Sequence, residues 1–149
     1  MIRSLLFSLF AATATASYND CGSRAVVHSF TVDPPGIVGA GQNVTMDVVF
    51  GLRDSLFHDG EVTIHSTWNH LMTSMTTMPM CDHFDCPLLN GTYRWRRQTP
   101  FPADVSGRIQ TTVRLLNGVG ESVLCLQWIA YATGSPSNET SWLVRRLYG

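Results

Sequence analysis

The stretch NVTMDVVFGL, residues 43–52, decides the fold, because apolar and polar side chains alternate along it. Val44, Met46, Val48 and Phe50 fall on one face, and the polar side chains at 43, 45 and 47 fall on the other. A period of two residues is typical of a β-strand with one buried face. The stretch therefore predicts a strand that places one face against a core and the other in solvent.

The same alternation recurs along the chain. It is seen in RAVVHSFTV, EVTIHSTW, GTYRWRR, GRIQTTVRLL and ESVLCLQWIAYA, which are rich in Val, Ile, Thr and aromatic residues, as strands prefer. Turn signals of Gly, Pro and Asn separate these segments. The segment 69–89 is irregular, with room for one further strand, and no convincing amphipathic helix is present. Six or seven short strands with regular turns predict an all-β, two-sheet β-sandwich.

The inward faces of these strands define a candidate apolar interior. Alternation assigns to it Phe30, Val32, Val44, Met46, Val48, Phe50, Val62, Ile64, Trp68, Tyr93, Trp95, Ile109 and Val113. Taken alone, such positions describe the filled core of a sandwich. The lining of a cavity requires the same residue types, so the pattern does not separate the two.

The first residues have the features of a secretory signal peptide. One positive charge, a short apolar run and the small residues Ala14-Thr15-Ala16 lie in sequence. We therefore expect a signal peptide over residues 1–16, a β-sandwich over 17–133, and a polar linker with a C-terminal tail over 134–149. The apolar run is too short to span a bilayer, so we expect an exported, soluble protein.

The charge of the chain is sparse and nearly balanced. The formal net charge is −1, and all 10 basic residues are Arg. No basic face is evident, so we expect no nucleic-acid partner. Three sequons, at Asn43, Asn90 and Asn138, are candidate glycosylation sites in an exported chain and would then have to lie at the surface.

Four cysteines in an exported chain suggest two disulfides, with three possible pairings. Cys81 and Cys86 are close in sequence, so the loop between them closes easily. That choice pairs Cys21 with Cys125 and ties the start of the first strand to the last strand. On the chain-entropy model, the disulfide that closes the longer loop stabilises the folded state by about 4–5 kcal/mol, and the one that closes the shorter loop stabilises it by about 2 kcal/mol.

Several of these features together resemble a known family. They are DCGS at the head of the first strand, VTMDVVF after a Gly-rich turn, TIH on the third strand, CDHFDCPLLNGTYRW, and a lone Cys in the final strand. Their order and spacing resemble the ML lipid-recognition domain, the family of the soluble Niemann–Pick type C sterol carrier and the group 2 mite allergens. The third disulfide that sterol carriers usually have is missing, because the loop PPGIVGAGQ contains no cysteine.

The resemblance implies an immunoglobulin-like sandwich with splayed sheets and a lipid cavity, lined by the inward residues above. It also implies where the cavity opens, at positions that in this sequence are Met72, Met75, Met78, Phe101 and Val105. The expected ligand is a sterol, a fatty acid or a phospholipid. The expected function is lipid binding or transfer outside the cell or in the lysosomal lumen, with membrane or receptor docking during transfer.

Two alternatives remain open at this stage. The Met-rich run before Cys81 contains soft ligands, which suit Cu(I), but a disulfide would remove the Cys81 thiolate. The second alternative is an exported immune or receptor-binding module with a filled core. The five His residues are scattered and no nucleophile motif stands out, so we expect no enzyme activity, no cofactor and no metal.

Overall fold

The computed structural model of the chain describes residues 17–53 and 56–134. Its elements are β1 (Tyr18–Asp20), β2 (Val26–Asp33), β3 (Ile37–Val38), β4 (Asn43–Leu52), β5 (Gly60–Trp68), β6 (Met72–Pro79), a 3₁₀ turn (Met80–Asp82), β7 (Gly91–Pro100), β8 (Ser106–Asn117) and β9 (Ser122–Thr133). The expected signal peptide, nearly all of the expected tail and the sequon at Asn138 lie outside these residues. Within the described ranges, no helix is long and apolar enough to cross a membrane.

The strands form two sheets, which confirms the immunoglobulin-like two-sheet sandwich. The larger sheet has the order β1-β9-β8-β5-β6, with β3 added beside β9, and the smaller sheet has the order β2-β4-β7. Neighbouring strands are antiparallel except β3 and β9. β6 and β7 each form the edge of their own sheet. β1 and β2 form the opposite edges of the same two orders.

The segment expected to be irregular contains the full-length strand β6, which pairs with β5 along its whole length. A tight turn joins the two strands, with Asn69 and His70 at positive φ angles of 48° and 62°. Asn tolerates this conformation and suits the first central position of a type I′ turn. The Asn69 side chain also donates to the carbonyl of Ser106 at 3.0 Å and accepts from the amide of Arg108 at 3.0 Å. The turn is thereby fixed against the start of β8.

Both expected disulfides are present, Cys21–Cys125 and Cys81–Cys86. The first joins residues 104 apart in sequence and links the segment after β1 to the middle of β9. The second closes the loop after β6, and this loop is anchored to the core by buried Met80 and Leu88. Among the described cysteines none is free.

The sandwich interior is filled over much of its length. Phe50 lies at the centre of this filled part, fully buried, and its ring is 5.9 Å from the rings of Phe84 and Tyr93. Val48 and Val62 pack in the same cluster and are almost inaccessible to solvent. Such dense packing is ordinary for a protein core. The other part of the interior has a different character.

Candidate functional site

A pocket of about 210 Å³ opens between the two sheets, at the end of the sandwich where β5 and β7 end and β4 begins. Its lining combines nine apolar residues with six polar ones. The lining residues are Val44, Met46, Ile64, Ser66, Trp68, Ser74, Thr76, Arg97, Thr99, Pro100, Phe101, Pro102, Ile109, Thr111 and Trp128.

The predicted interior divides between this pocket and the filled core. The predicted positions that line the pocket are Val44, Met46, Ile64, Trp68 and Ile109. The predicted positions that lie in the filled core instead are Phe30, Val32, Val48, Phe50, Val62, Trp95 and Val113, with half-buried Tyr93 packed against them. One strand face can therefore contribute to both regions. On β5, Val62 belongs to the core and Ile64 to the pocket.

The predicted entrance residues are only partly brought together. Phe101 lines the pocket, and Val105 is buried behind it in a small cluster with Ile109 and Ala132. Met78 is half-buried and contacts Arg97 across the gap between β6 and β7. Met72 is exposed at the start of β6. Met75 is 70 % exposed and lies opposite His65 in the pairing, out of phase with the lining positions 74 and 76.

The predicted lining omitted the six polar residues of the pocket. Ser66 and Thr111 are in phase with predicted apolar neighbours, so alternation alone could have found them. Arg97 lies two residues after Trp95 in β7. The same alternation would therefore have placed its side chain on the inward face with Tyr93 and Trp95. Ser74 and Thr76 could not be placed in this way, because the segment that contains them gave no clear strand signal.

Several polar groups of the pocket are donors of hydrogen bonds. The hydroxyl groups of Ser66 and Thr111 share one hydrogen bond of 3.0 Å, in which either oxygen can be the donor. The indole nitrogen of Trp68 is buried, and no described residue accepts a hydrogen bond from it. An indole N–H can only donate. A buried donor of this kind is costly unless an acceptor reaches it.

Arg97 is the charged member of the described lining. Its Nε donates to the Thr99 hydroxyl at 3.2 Å, and one terminal nitrogen contacts the sulfur of Met78. The two other arginines of β7 are exposed and point away. Of these, Arg94 binds the carboxylate of Asp47 on the outer face of the small sheet, with an Nε–Oδ1 distance of 2.9 Å. This hydrogen bond lowers the pKa of Asp47 below its ordinary value.

The Cu(I) alternative depends on Cys81 and on the methionines that precede it. Cys81 is in a disulfide, so it has no thiolate to offer. In the described ranges, no group of three or more His, Cys, Asp or Glu side chains is arranged to hold a metal ion. Met75 lies on the opposite strand face from Met78, which separates two of the sulfurs proposed for Cu(I).

Comparison with known proteins adds a family match and a shared fold. Residues 15–132 match the family model described as the ML domain. No curated protein sequence matches the chain. A Niemann-Pick type C2 protein from the Japanese carpenter ant is similar in structure, with a TM-score of 0.63 and 11% identity over 78% of this chain and 99% of that one.

Two further solved structures share the architecture. Chicken MD-1, solved in complex with lipid IVa, gives a TM-score of 0.52 and 14% identity, covering 76% of this chain and 87% of that one. The C-terminal domain of wzt gives a TM-score of 0.52 and 10% identity, covering 80% of this chain and 78% of that one. At such low identities these similarities concern the fold.

Proposed function

Since the chain belongs to the ML domain family, we propose that it is a secreted or lysosomal lipid-binding protein. In this proposal it holds a sterol or an acyl lipid between its two sheets and transfers it without chemical change. The observation that carries the proposal is the largely apolar pocket of about 210 Å³ between the sheets. Its position between the edge strands gives a lipid a path inward. Chicken MD-1, a structural neighbour, was itself solved with lipid IVa.

Burial of an acyl chain supplies the driving force for binding. A chain of about 16 carbons gains roughly 13 kcal/mol gross at about 0.8 kcal/mol per CH₂. The loss of freedom on association offsets much of this gain. The remainder needs no reacting group in the protein, which is why we propose a carrier and not an enzyme. The half-buried faces of Ile64 and Trp68 are the surfaces that the chain would cover.

A long lipid requires a larger space than the structure shows. Ligand pockets usually measure about 300–1,000 Å³, and this one measures about 210 Å³. Met78 of β6 contacts the guanidinium group of Arg97 of β7, which links the two edge strands. β6 and β7 belong to different sheets, so they can move apart without loss of a backbone ladder. We propose that the pocket widens in this way as the ligand enters.

The proposed location rests on the covalent features of the chain. Two disulfides are typical of proteins from oxidising compartments outside the cytosol. Asn43 and Asn90 are both exposed, as glycan acceptors must be. We therefore propose an exported glycoprotein whose mature domain spans residues 17–133.

One surface fits the proposed docking during transfer. Leu71 and Met72, here called the hairpin tip, are 76% and 52% exposed at the turn between β5 and β6. Met72 is paired with Trp68 of the pocket lining, so the hairpin tip lies beside the opening. We propose that the hairpin tip contacts the donor or acceptor membrane. Exposed apolar groups of this kind mark interaction sites, which also keeps receptor docking as a second candidate.

Native mass spectrometry of the purified secreted protein tests the carrier. We expect one lipid per chain before extraction, and renewed one-to-one binding when fatty acid, phospholipid or sterol is returned. A chain that carries no lipid and takes up none of the three would contradict the proposal.

Transfer between vesicles tests the hairpin tip separately. Leu71→Ser with Met72→Ser should slow the transfer of a fluorescent lipid and leave equilibrium binding unchanged. Val119→Ser is the matched control, because Val119 is 80% exposed in the distant β8–β9 turn. If the double variant of the hairpin tip transfers lipid as fast as the Val119→Ser control, the hairpin tip is excluded as the docking surface.

A further inference from the structure

We propose that the ligand is a single-chain lipid with an oxyanion head group, a carboxylate or a phosphate monoester, and that Arg97 binds this head group. The inference rests on the proposed lipid-binding function and names the class of lipid. It depends on the direction in which Arg97 points, on the weakness of its present partners and on the excess of donors around the pocket.

The direction of Arg97 follows from the pleat of β7. Tyr93, Trp95 and Arg97 occupy alternate positions that are half-buried or buried, whereas Arg94 and Arg96 are exposed. Arg97 is paired with Met46, a lining residue of β4. One guanidinium group is therefore built into the lining of an apolar pocket at the edge of the small sheet.

The partners of Arg97 do not neutralise its charge. Within the described ranges, the salt bridges are Arg24–Glu121 and Arg94–Asp47, and neither involves Arg97. Its contacts are the Thr99 hydroxyl and the thioether of Met78. A thioether is a weak acceptor, and a guanidinium group carries five N–H donors in a planar fork. A carboxylate or phosphate accepts two of these donors side by side, so an oxyanion is the ligand group that would displace Met78.

The other polar groups lead to the same class of ligand. A second donor, the indole N–H of Trp68, belongs to a lining residue and is buried within the wall, where no described residue provides an acceptor, so a ligand would reach it only if the wall moves. The hydroxyl groups of Ser66 and Thr111 share one hydrogen bond, which uses one of their two donor protons. The described lining contains no carboxylate and no histidine. A ligand rich in acceptors matches this inventory, whereas the single hydroxyl group of a sterol supplies far fewer.

The size of the pocket favours one chain over two. A volume of about 210 Å³ lies below the usual range for ligand sites. A single acyl chain enlarges it least, because it is the narrowest of the candidate tails. The fused rings of a sterol or the paired chains of a phospholipid would require wider separation of β6 from β7.

The test compares ligands that share a tail and differ in the head group. Delipidated protein is titrated with palmitate, hexadecyl phosphate and 1-hexadecanol, which have the same 16-carbon tail. We expect palmitate or hexadecyl phosphate to bind at least about tenfold more tightly than the alcohol, as charge-assisted hydrogen bonds imply. Whichever of the two anions binds with higher affinity indicates whether the preferred head group is a carboxylate or a phosphate.

Two variants assign the preference to a residue. Arg97→Gln should reduce anion affinity to that of hexadecanol and leave hexadecanol affinity unchanged, which also demonstrates an intact pocket. Arg96→Gln is the matched control, since Arg96 is the next residue and is exposed on the outer face. It should retain the preference. Arg97→Lys should retain part of it, because lysine keeps the charge and loses the fork.

The outcomes separate this inference from the proposed function. Equal affinity for all three ligands, or an anion preference that survives in Arg97→Gln, would overturn the assignment to Arg97 while lipid binding stands. Sterol binding tighter than that of either anion would overturn the single-chain class. No binding of any lipid would remove the proposed function itself, and this inference with it.

Discussion

A pair of matched substitutions on β5 distinguishes an interior that contains a pocket from one that is filled throughout. Val62 and Ile64 are two residues apart and face the same way, but Val62 is 2% exposed in the core whereas Ile64 is half-buried and lines the pocket. Replacement by phenylalanine enlarges each side chain. The structure predicts opposite results, because Ile64→Phe has space to fill and Val62→Phe has none.

The expected magnitudes follow from packing energetics. Val62→Phe forces extra carbons into a close-packed region, which typically costs about 1–3 kcal/mol. At roughly 4 °C per kcal/mol for a domain of this size, the melting temperature should fall by about 4–12 °C. Ile64→Phe adds about three carbons to a pocket of 210 Å³. At about 0.8 kcal/mol per buried carbon, it could add up to about 2 kcal/mol of stability.

The assay measures thermal unfolding and lipid affinity on the same delipidated samples. Ile64→Phe should melt at or above the temperature of the wild type and bind palmitate at least about tenfold more weakly, because its ring occupies the space of the acyl chain. Val62→Phe should melt lower and, while folded, retain its affinity. If Ile64→Phe lowers the melting temperature as much as Val62→Phe and leaves palmitate binding intact, the reasoning from the pocket is wrong.

Three further predictions concern stability. Replacing Cys21 and Cys125 by serine should lower the free energy of unfolding in urea by about 4–5 kcal/mol, against about 2 kcal/mol for loss of the disulfide that closes five residues; equal losses would contradict the loop-entropy account. Asp47→Asn should destabilise the fold at pH 6, because the hydrogen bond from Arg94 lowers the pKa of Asp47. This contribution is present above the unfolded pKa of about 3.9 and is lost as pH falls through the lower folded value, so a difference between wild type and variant that does not shrink between pH 6 and pH 2 would refute it. Asn69→Ala should cost about 1–3 kcal/mol through two lost hydrogen bonds and a strained positive φ of 48°, whereas Asn69→Gly, which tolerates that φ, should cost less.

Most of the fold could be predicted from the sequence, because half-buried strands repeat every two residues. The alternation around Met46 and Phe50 placed β4 correctly, and the spacing of the cysteines indicated the observed disulfides. β6 was anticipated only as room for one further strand within residues 69–89, and its bounds were not predicted, for a physical reason. Its sequence MTSMTTMP contains no strongly apolar face, since the strand is an edge and most of its side chains are exposed.

The site was less predictable than the fold. Val62 and Ile64 have the same chemical character and the same phase, and only the distance between the sheets separates a filled position from a lining one. Sequence periodicity contains no information on that distance. The polar lining was omitted for a different reason: Ser66 and Thr111 were in phase, but polar residues are not expected in an interior unless they are paired, and their mutual hydrogen bond is a tertiary contact.

The two edge strands that border the pocket, β6 and β7, carry different kinds of side chain. An exposed sheet edge is normally protected by charges, since its free backbone groups invite pairing with another chain. On β6 the inward positions 74 and 76 line the pocket, so a charge there would face an apolar space, and the strand carries hydroxyl and thioether groups instead. β7 supplies the charges, with Arg94 and Arg96 exposed outside and Arg97 turned inward. The two facing edges therefore differ in charge: β6 carries none, and the single inward charge of the lining comes from β7.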